Sequence, residues 1–170
     1  MRAQREKVGM QRAKQPSRGF SLIELLIVIA IILTIAAIAI PSFLRSRILA
    51  NEATAVQNLR TITTAEVVYS TTYGTGYSTT LAKLGGTAVL ATQNQAGLID
   101  EVLATGTKNG YVYTYAVVTT DPNGNVVQYS AQVDPVNPGV TGQRHFYSDQ
   151  TAVIRQSLTG SAGPSDPPIS

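Results

Sequence analysis

Residues 20–40 read FSLIELLIVIAIILTIAAIAI, a run of 21 residues with one charge, Glu24. At about 1.5 Å of rise per residue such a run makes a helix about 31 Å long, which is the thickness of a bilayer hydrocarbon core. The apolar part of a secretory signal is shorter, roughly 7–15 residues. A buried core helix has no need of a basic flank, and this run has one. Six of the 13 Lys and Arg residues come before it (Arg2, Arg5, Lys7, Arg12, Lys14 and Arg18), against the single acid Glu6. That bias puts residues 1–19 in the cytoplasm and everything after Pro41 outside it, with residues 20–40 spanning the inner, cytoplasmic membrane.

The flank also distorts the bulk charge. The full chain carries +3, but beyond Gly19 seven bases face nine acids, leaving about −2 with histidine neutral. A domain of that charge lacks the basic face on which a nucleic-acid binder depends, so DNA is a weak candidate partner. The chain has no cysteine, which excludes disulfides, thiolate metal sites and cysteine nucleophiles. Stability must come from burial, from a long helix, or from neighbouring subunits.

An ordinary signal is cut after its apolar run. Here the distinctive residues, Arg18-Gly19-Phe20-Ser21-Leu22-Ile23-Glu24, lie before it. With the basic leader ahead of them and Pro41 behind, residues 18–41 resemble the prepilin cleavage and methylation motif of type IV pilins and the major pseudopilins of type II secretion. The resemblance implies cleavage between Gly19 and Phe20 by a prepilin peptidase, N-methylation of the new Phe20 amine, and retention of residues 20–40 in the mature subunit. It further implies a pilin fold: an α+β domain with a long N-terminal helix packed on a C-terminal antiparallel sheet of about four strands. The implied partners are copies of the same chain, an assembly ATPase and a platform protein.

Glu24 sets an energetic problem, because a carboxylate within an apolar span costs a few kcal/mol at the bilayer centre and less near its edge. It is either an interfacial acid reaching headgroups or an acid awaiting a cation. Cleavage after Gly19 creates that cation, the Phe20 ammonium, four residues from Glu24. The family resemblance assigns the pair to neighbouring subunits during assembly. Pro41 removes a backbone donor and predicts a kink, or alternatively the end of the helix. Periodicity beyond it favours continuation, since Leu49, Glu52/Ala53, Val56, Leu59, Ile62/Thr63 and Val67 recur at spacings of three and four. The expected helix runs from about Ser21 to about Ser70, with residues 41–70 as its amphipathic half.

Residues 71–110 read as a connecting loop with short helical turns at Leu81–Gly86 and Leu98–Ala104, broken at Gly106–Gly110. Residues 111–157 read as the sheet. Tyr111–Thr120 and Val126–Val133 flank an Asn-Gly turn at Asp121–Asn125, and a second hairpin joins His145–Ser148 to Ala152–Arg155. Alternation predicts Val127, Tyr129, Ala131 and Val133 on the buried face of the second strand. Tyr111, Tyr113 and Tyr115 share one face of the first strand, suited either to packing or to a half-wet subunit contact. Residues 158–170, which contain Pro164, Pro167 and Pro168, read as a flexible tail.

Little here suggests catalysis. His145 is the only histidine, so no histidine pair can hold a metal, and neither a nucleophile elbow nor a phosphate-binding glycine loop is present. Asp121, Asn123 and Asn125 alternate like the start of a calcium loop but lack its later glutamate, so calcium is a weak candidate and a plain turn the stronger reading. The expected function is therefore structural: a subunit of a type IV pilus. A pseudopilin of a type II secretion pseudopilus is the alternative, and a minor tip pilin with DNA or adhesive binding comes third.

Overall fold

The computed structural model describes residues 19–87 and 91–169. Apart from Gly19, the expected leader lies outside the described residues. The chain divides into two compact units, residues 1–40 and residues 41–170.

Helix α1 runs Leu22–Tyr73 and passes through Pro41 rather than ending there. Proline has no N–H, so the bond to the carbonyl of Ala37, four residues back, is missing at that turn. Ser21 precedes the first turn, and its carbonyl accepts from Glu24 N (3.1 Å) and Leu25 N (3.2 Å). In the first unit every large apolar side chain from Phe20 to Ile40 is exposed, from 45% at Val28 to 81% at Leu22. Thr34 gives its hydroxyl to the carbonyl of Ala30 at 2.8 Å, so the one hydroxyl within this helical stretch needs no water.

In the second unit the sheet has five strands, one more than expected: β1 (Thr107–Lys108), β2 (Tyr111–Thr120), β3 (Val126–Pro135), β4 (His145–Asp149) and β5 (Arg155–Ser157). All neighbours are antiparallel and consecutive, so the sheet is a meander. The core lies between its inner face and α1. Leu59, Ile62 and Tyr69 of the helix pack with Tyr111, Tyr113, Ala131, Val133 and Phe146 of the sheet. Burying side chains of this size contributes roughly 1.5–3 kcal/mol each.

Several local expectations need correction. The buried residues of α1 are Glu52, Ala55, Asn58, Leu59, Ile62, Thr63, Ala65, Glu66 and Tyr69, while Leu49 and Val67 are exposed. Helix α2 forms at Leu81–Leu84, but α3 covers only Glu101–Ala104, because Asp100 caps it by accepting from Leu103 N at 3.0 Å. Leu98 and Ile99 instead donate to the carbonyl of Leu84. On β3, Tyr129, Ala131 and Val133 face inward as expected, but Val127 is exposed and Val126 buried. The pairing explains the exchange: Val117 faces Tyr129, Thr119 faces Gln128, and Thr120 faces Val126. Val118 and then Val127 are thus extra residues, and each reverses the alternation. The last strand begins only at Arg155, since Ala152 takes a φ of 59° and donates to the carbonyl of Asp149.

The expected free tail is tied down through Ile169. Gln156 N donates to the carbonyl of Pro167 (3.0 Å) and Ile169 N to that of Ile154 (2.9 Å), laying residues 167–169 along β5. Arg155 Nη1 adds a bond to the carbonyl of Asp166 at 2.8 Å, and Ala162 is fully buried.

Candidate processing and assembly site

Gly19, Phe20 and Glu24 sit at the start of the apolar helix. Phe20 is 78% exposed. A Cβ added at Gly19 would meet no atom within 4 Å, and its φ is not in the left-handed region. Among the described residues nothing therefore demands glycine there. Glu24 is exposed, and its Oε2 accepts from the backbone N–H of Ser21 over a long 3.4 Å. Ser21-Leu22-Ile23-Glu24 thus forms half of a capping box, in which the acid three residues into the helix answers the backbone of the residue before it. The Ser-x-x-Glu spacing is the signal that would have revealed this contact. It holds Glu24 only lightly.

Two further acids lie on α1 at the buried stripe, Glu52 and Glu66. Glu52, 2% exposed, binds the segment before β4. Its Oε1 accepts from Gln143 N (2.9 Å) and Arg144 N (3.2 Å), and its Oε2 accepts from Arg144 Nε (2.7 Å). Burial alone would raise its pKa, but the hydrogen bonds from Gln143 and Arg144 and the guanidinium charge outweigh it, so the carboxyl titrates below its ordinary value. Arg144 is itself fixed, with Nη1 on Gln156 Oε1 at 3.1 Å and the guanidinium over the ring of Phe146.

Glu66 is fully buried, and among the described residues no cation pairs with it. Its two oxygens accept from the backbone N–H and the hydroxyl of Ser78. Tyr115 donates its hydroxyl to the carbonyl of Ser78 at 2.9 Å, and its ring stacks on Tyr129 with centroids 5.4 Å apart. Desolvation is the largest influence on Glu66, and its pKa is raised in spite of the Ser78 hydrogen bonds. Apolar periodicity does not mark Glu66. Its place fourteen residues, about four helical turns, after Glu52 could have pointed to it.

The remaining candidates are structural in their contacts. Tyr111 and Tyr113 are buried, and Tyr113 accepts at its hydroxyl from Asn58 Nδ2 at 2.8 Å. His145 Nδ1 lies 2.6 Å from Asp134 Oδ1 across the β3–β4 pair. Asp121 closes its turn: Oδ1 accepts from Asn123 N and Asn125 N, each at 2.8 Å, and Oδ2 from Asn125 Nδ2 at 2.9 Å. Those bonds, from Asn125 above all, hold its carboxyl below the usual range. Among the described residues no group of three His, Cys, Asp or Glu is placed to hold a metal ion.

Comparison with known proteins follows the N-terminal pattern and extends past it. Residues 14–40 match the family model described as the prokaryotic N-terminal methylation motif. The chain is 44% identical over 57 residues to the type IV major pilin protein PilA of Myxococcus xanthus, covering 34% of this chain but only 26% of that protein. It is 35% identical over 118 residues to a fimbrial protein of Pseudomonas aeruginosa, covering 60% of this chain and 77% of that one. No solved structure matches it.

Proposed function

This chain belongs to the type IV pilin family, and we propose that it is the structural subunit of a type IV pilus, stored in the membrane and then polymerised through its N-terminal helix. The observation that carries the proposal is the exposed apolar surface of residues 20–40, interrupted by one charge. A surface of that kind needs lipid or other helices around it. The names of the two relatives, a major pilin and a fimbrial protein, favour a pilus over a secretion pseudopilus.

In this scheme a prepilin peptidase hydrolyses the Gly19–Phe20 amide, leaving a carboxylate on Gly19 and an ammonium on Phe20, which is then N-methylated. Among the described residues nothing crowds Gly19, which fits a glycine demanded by an enzyme's cleft rather than by this fold. An ATPase and a platform protein supply the work of extraction, during which lipid around residues 20–40 is exchanged for neighbouring helices. Glu24, held within its own chain by one long hydrogen bond, is available to pair with the Phe20 ammonium of the adjacent subunit. That pairing removes the cost of both charges in an apolar filament core.

Replacing Glu24 by alanine separates storage from assembly. The variant is expected to insert in the membrane and to be processed normally, yet to produce no surface filaments by electron microscopy. Wild-type filament numbers from E24A would refute the role of Glu24. A deletion strain that keeps all its surface fibres would refute the pilus itself.

A further inference from the structure

Residues 41–170 carry eight acids, and seven of them are already engaged. Glu52 and Glu66 are bound in the core, Asp100 accepts from Leu103 N and Lys108 Nζ, and Asp134 meets His145. Asp121, Asp149 and Asp166 each close a turn of their own segment. The eighth, Glu101, is exposed on α3, and among the described residues its carboxylate has no cation against it. Val102 beside it is 56% exposed. The converse lies at the other end of the unit's sequence. Arg45 has no carboxylate partner among the described residues, and it lines an open groove of about 630 Å³ with the exposed Leu44, Leu49 and Leu158. The carboxylate lining that groove, Glu52, is already held by Arg144 and by backbone N–H groups.

We propose that Glu101 and Val102 of one copy seat in the Arg45 groove of the next, a contact between the 41–170 units of neighbouring subunits. Charge selects a second copy as the occupant. The acid without a partner and a cation without one are on the same chain, each beside exposed apolar side chains. They cannot meet within one copy. Helix α3 packs on β1 and is tied to it by the Asp100–Lys108 pair, whereas the groove lies where Leu158 follows β5. The sheet order β1-β2-β3-β4-β5 puts these at opposite edges. The contact is therefore head-to-tail and repeats from copy to copy. Other unpaired cations suit it less. Arg47 is two residues from Arg45 and so on another side of the helix. Lys83 lies on α2, against α3 itself, and Arg60 lines a groove of only about 250 Å³ with Leu98, just before α3. Contacts at those two would join α3 edges and end at a dimer. One ion pair and a few apolar side chains fall well short of the roughly 1,000 Å² of a stable interface. The contact acts once copies are already held side by side, where its effective concentration is high.

This inference rests on the proposed filament, and its test separates the two. Full-length R45E and E101R are expected to melt like the parent in detergent, since both side chains are exposed. Each should lower the yield of sheared filaments by about fivefold or more, because like charges then face each other across the contact. The double variant R45E/E101R restores opposite charges and should bring the yield back to within about twofold of the parent. The chain has no cysteine, so L49C/V102C reports the contact directly. Oxidation of its filaments with diamide should give a ladder of trimers and longer species, while L49C alone should stay monomeric. A crosslinked dimer from V102C alone would show α3 meeting α3 and would reject the groove as its seat. Parental yields from both single charge variants, or no ladder from filaments that form normally, would overturn the contact and leave the filament standing. A double variant as defective as the single ones would also overturn it, since the two charges would then act separately. Absence of surface filaments in the parent would remove the filament and this contact together.

Discussion

Two glutamates on the same face of one helix have opposite consequences for stability. Glu52 meets a guanidinium and two backbone N–H groups, and its pKa falls. Its contribution is present above the ordinary value of 4.5 and is lost as pH falls through the lower folded value. Glu66 meets Ser78 and Tyr115 in a site closed to water, and its pKa rises. Its favourable contribution is complete below 4.5 and is lost as pH rises through the higher folded value, because the native state then holds an ionised, unpaired acid. E66Q should therefore shift the urea midpoint upward at pH 8 and leave it almost unchanged at pH 4. Glutamine can still accept from Ser78 N and donate to the serine hydroxyl, so the site stays filled. A variant less stable than the parent at both pH values would mean that the ionised form of Glu66 is the one the fold needs.

At the scale of elements, the long helix, the β2–β3 hairpin and the Asp121 turn were legible, because each has a strong local signature. An apolar run, ten residues rich in β-branched and aromatic side chains, and an Asn-Gly pair are local signatures of that kind. The rotation of the helix was legible only in part, since Glu52, Leu59, Ile62 and Thr63 are buried as the periodicity predicts. Two of its nine buried residues are acids, so apolar periodicity alone selected Val67, which is exposed, over Glu66. Only Gln143, Arg144 and Ser78, distant in sequence, make those acids tolerable in the core. The methylation motif at residues 14–40 was legible in the sequence. The tail was misjudged: its composition is that of a linker, yet its backbone finds partners on β5. Truncation after Ser157 removes the bond that Gln156 N makes to Pro167 and the cover that Ala162 provides. With hydrogen bonds contributing about 0.5–1.5 kcal/mol each, a loss of about 1–3 kcal/mol is expected. Hydrogen exchange should show Gln156 N–H losing protection while β2 and β3 keep theirs. Unchanged exchange at Gln156 would mean the tail does not hold that edge in solution.

The whole molecule joins two solutions to burial in one chain. Residues 41–170 enclose a core of their own, with Leu59, Ile62, Leu84, Leu103, Tyr111, Val133 and Phe146 all fully buried. They carry seven bases and eight acids, close to neutral and without a strong field of either sign. Residues 20–40 bury none of their large side chains and cannot be satisfied by this chain alone. Stability and association should accordingly separate at Pro41. A chain beginning at Pro41 is expected to be soluble without detergent, to sediment as a monomer and to unfold in one cooperative transition, because the hydrogen bonds of α1 to the segment before β4 begin at Asn51 and Glu52. Its first turns, where Leu44 and Leu49 are exposed, should exchange their amides quickly, while the stretch from Ala55 to Tyr69 stays protected. The full chain is expected to need detergent or lipid, and to associate once either is withdrawn. An aggregated or non-cooperative fragment would mean that the apolar helix contributes to folding the domain. A monomer that stays in solution with residues 20–40 attached would instead remove the physical basis for assembly through that helix, since the apolar surface would then have no need of a partner.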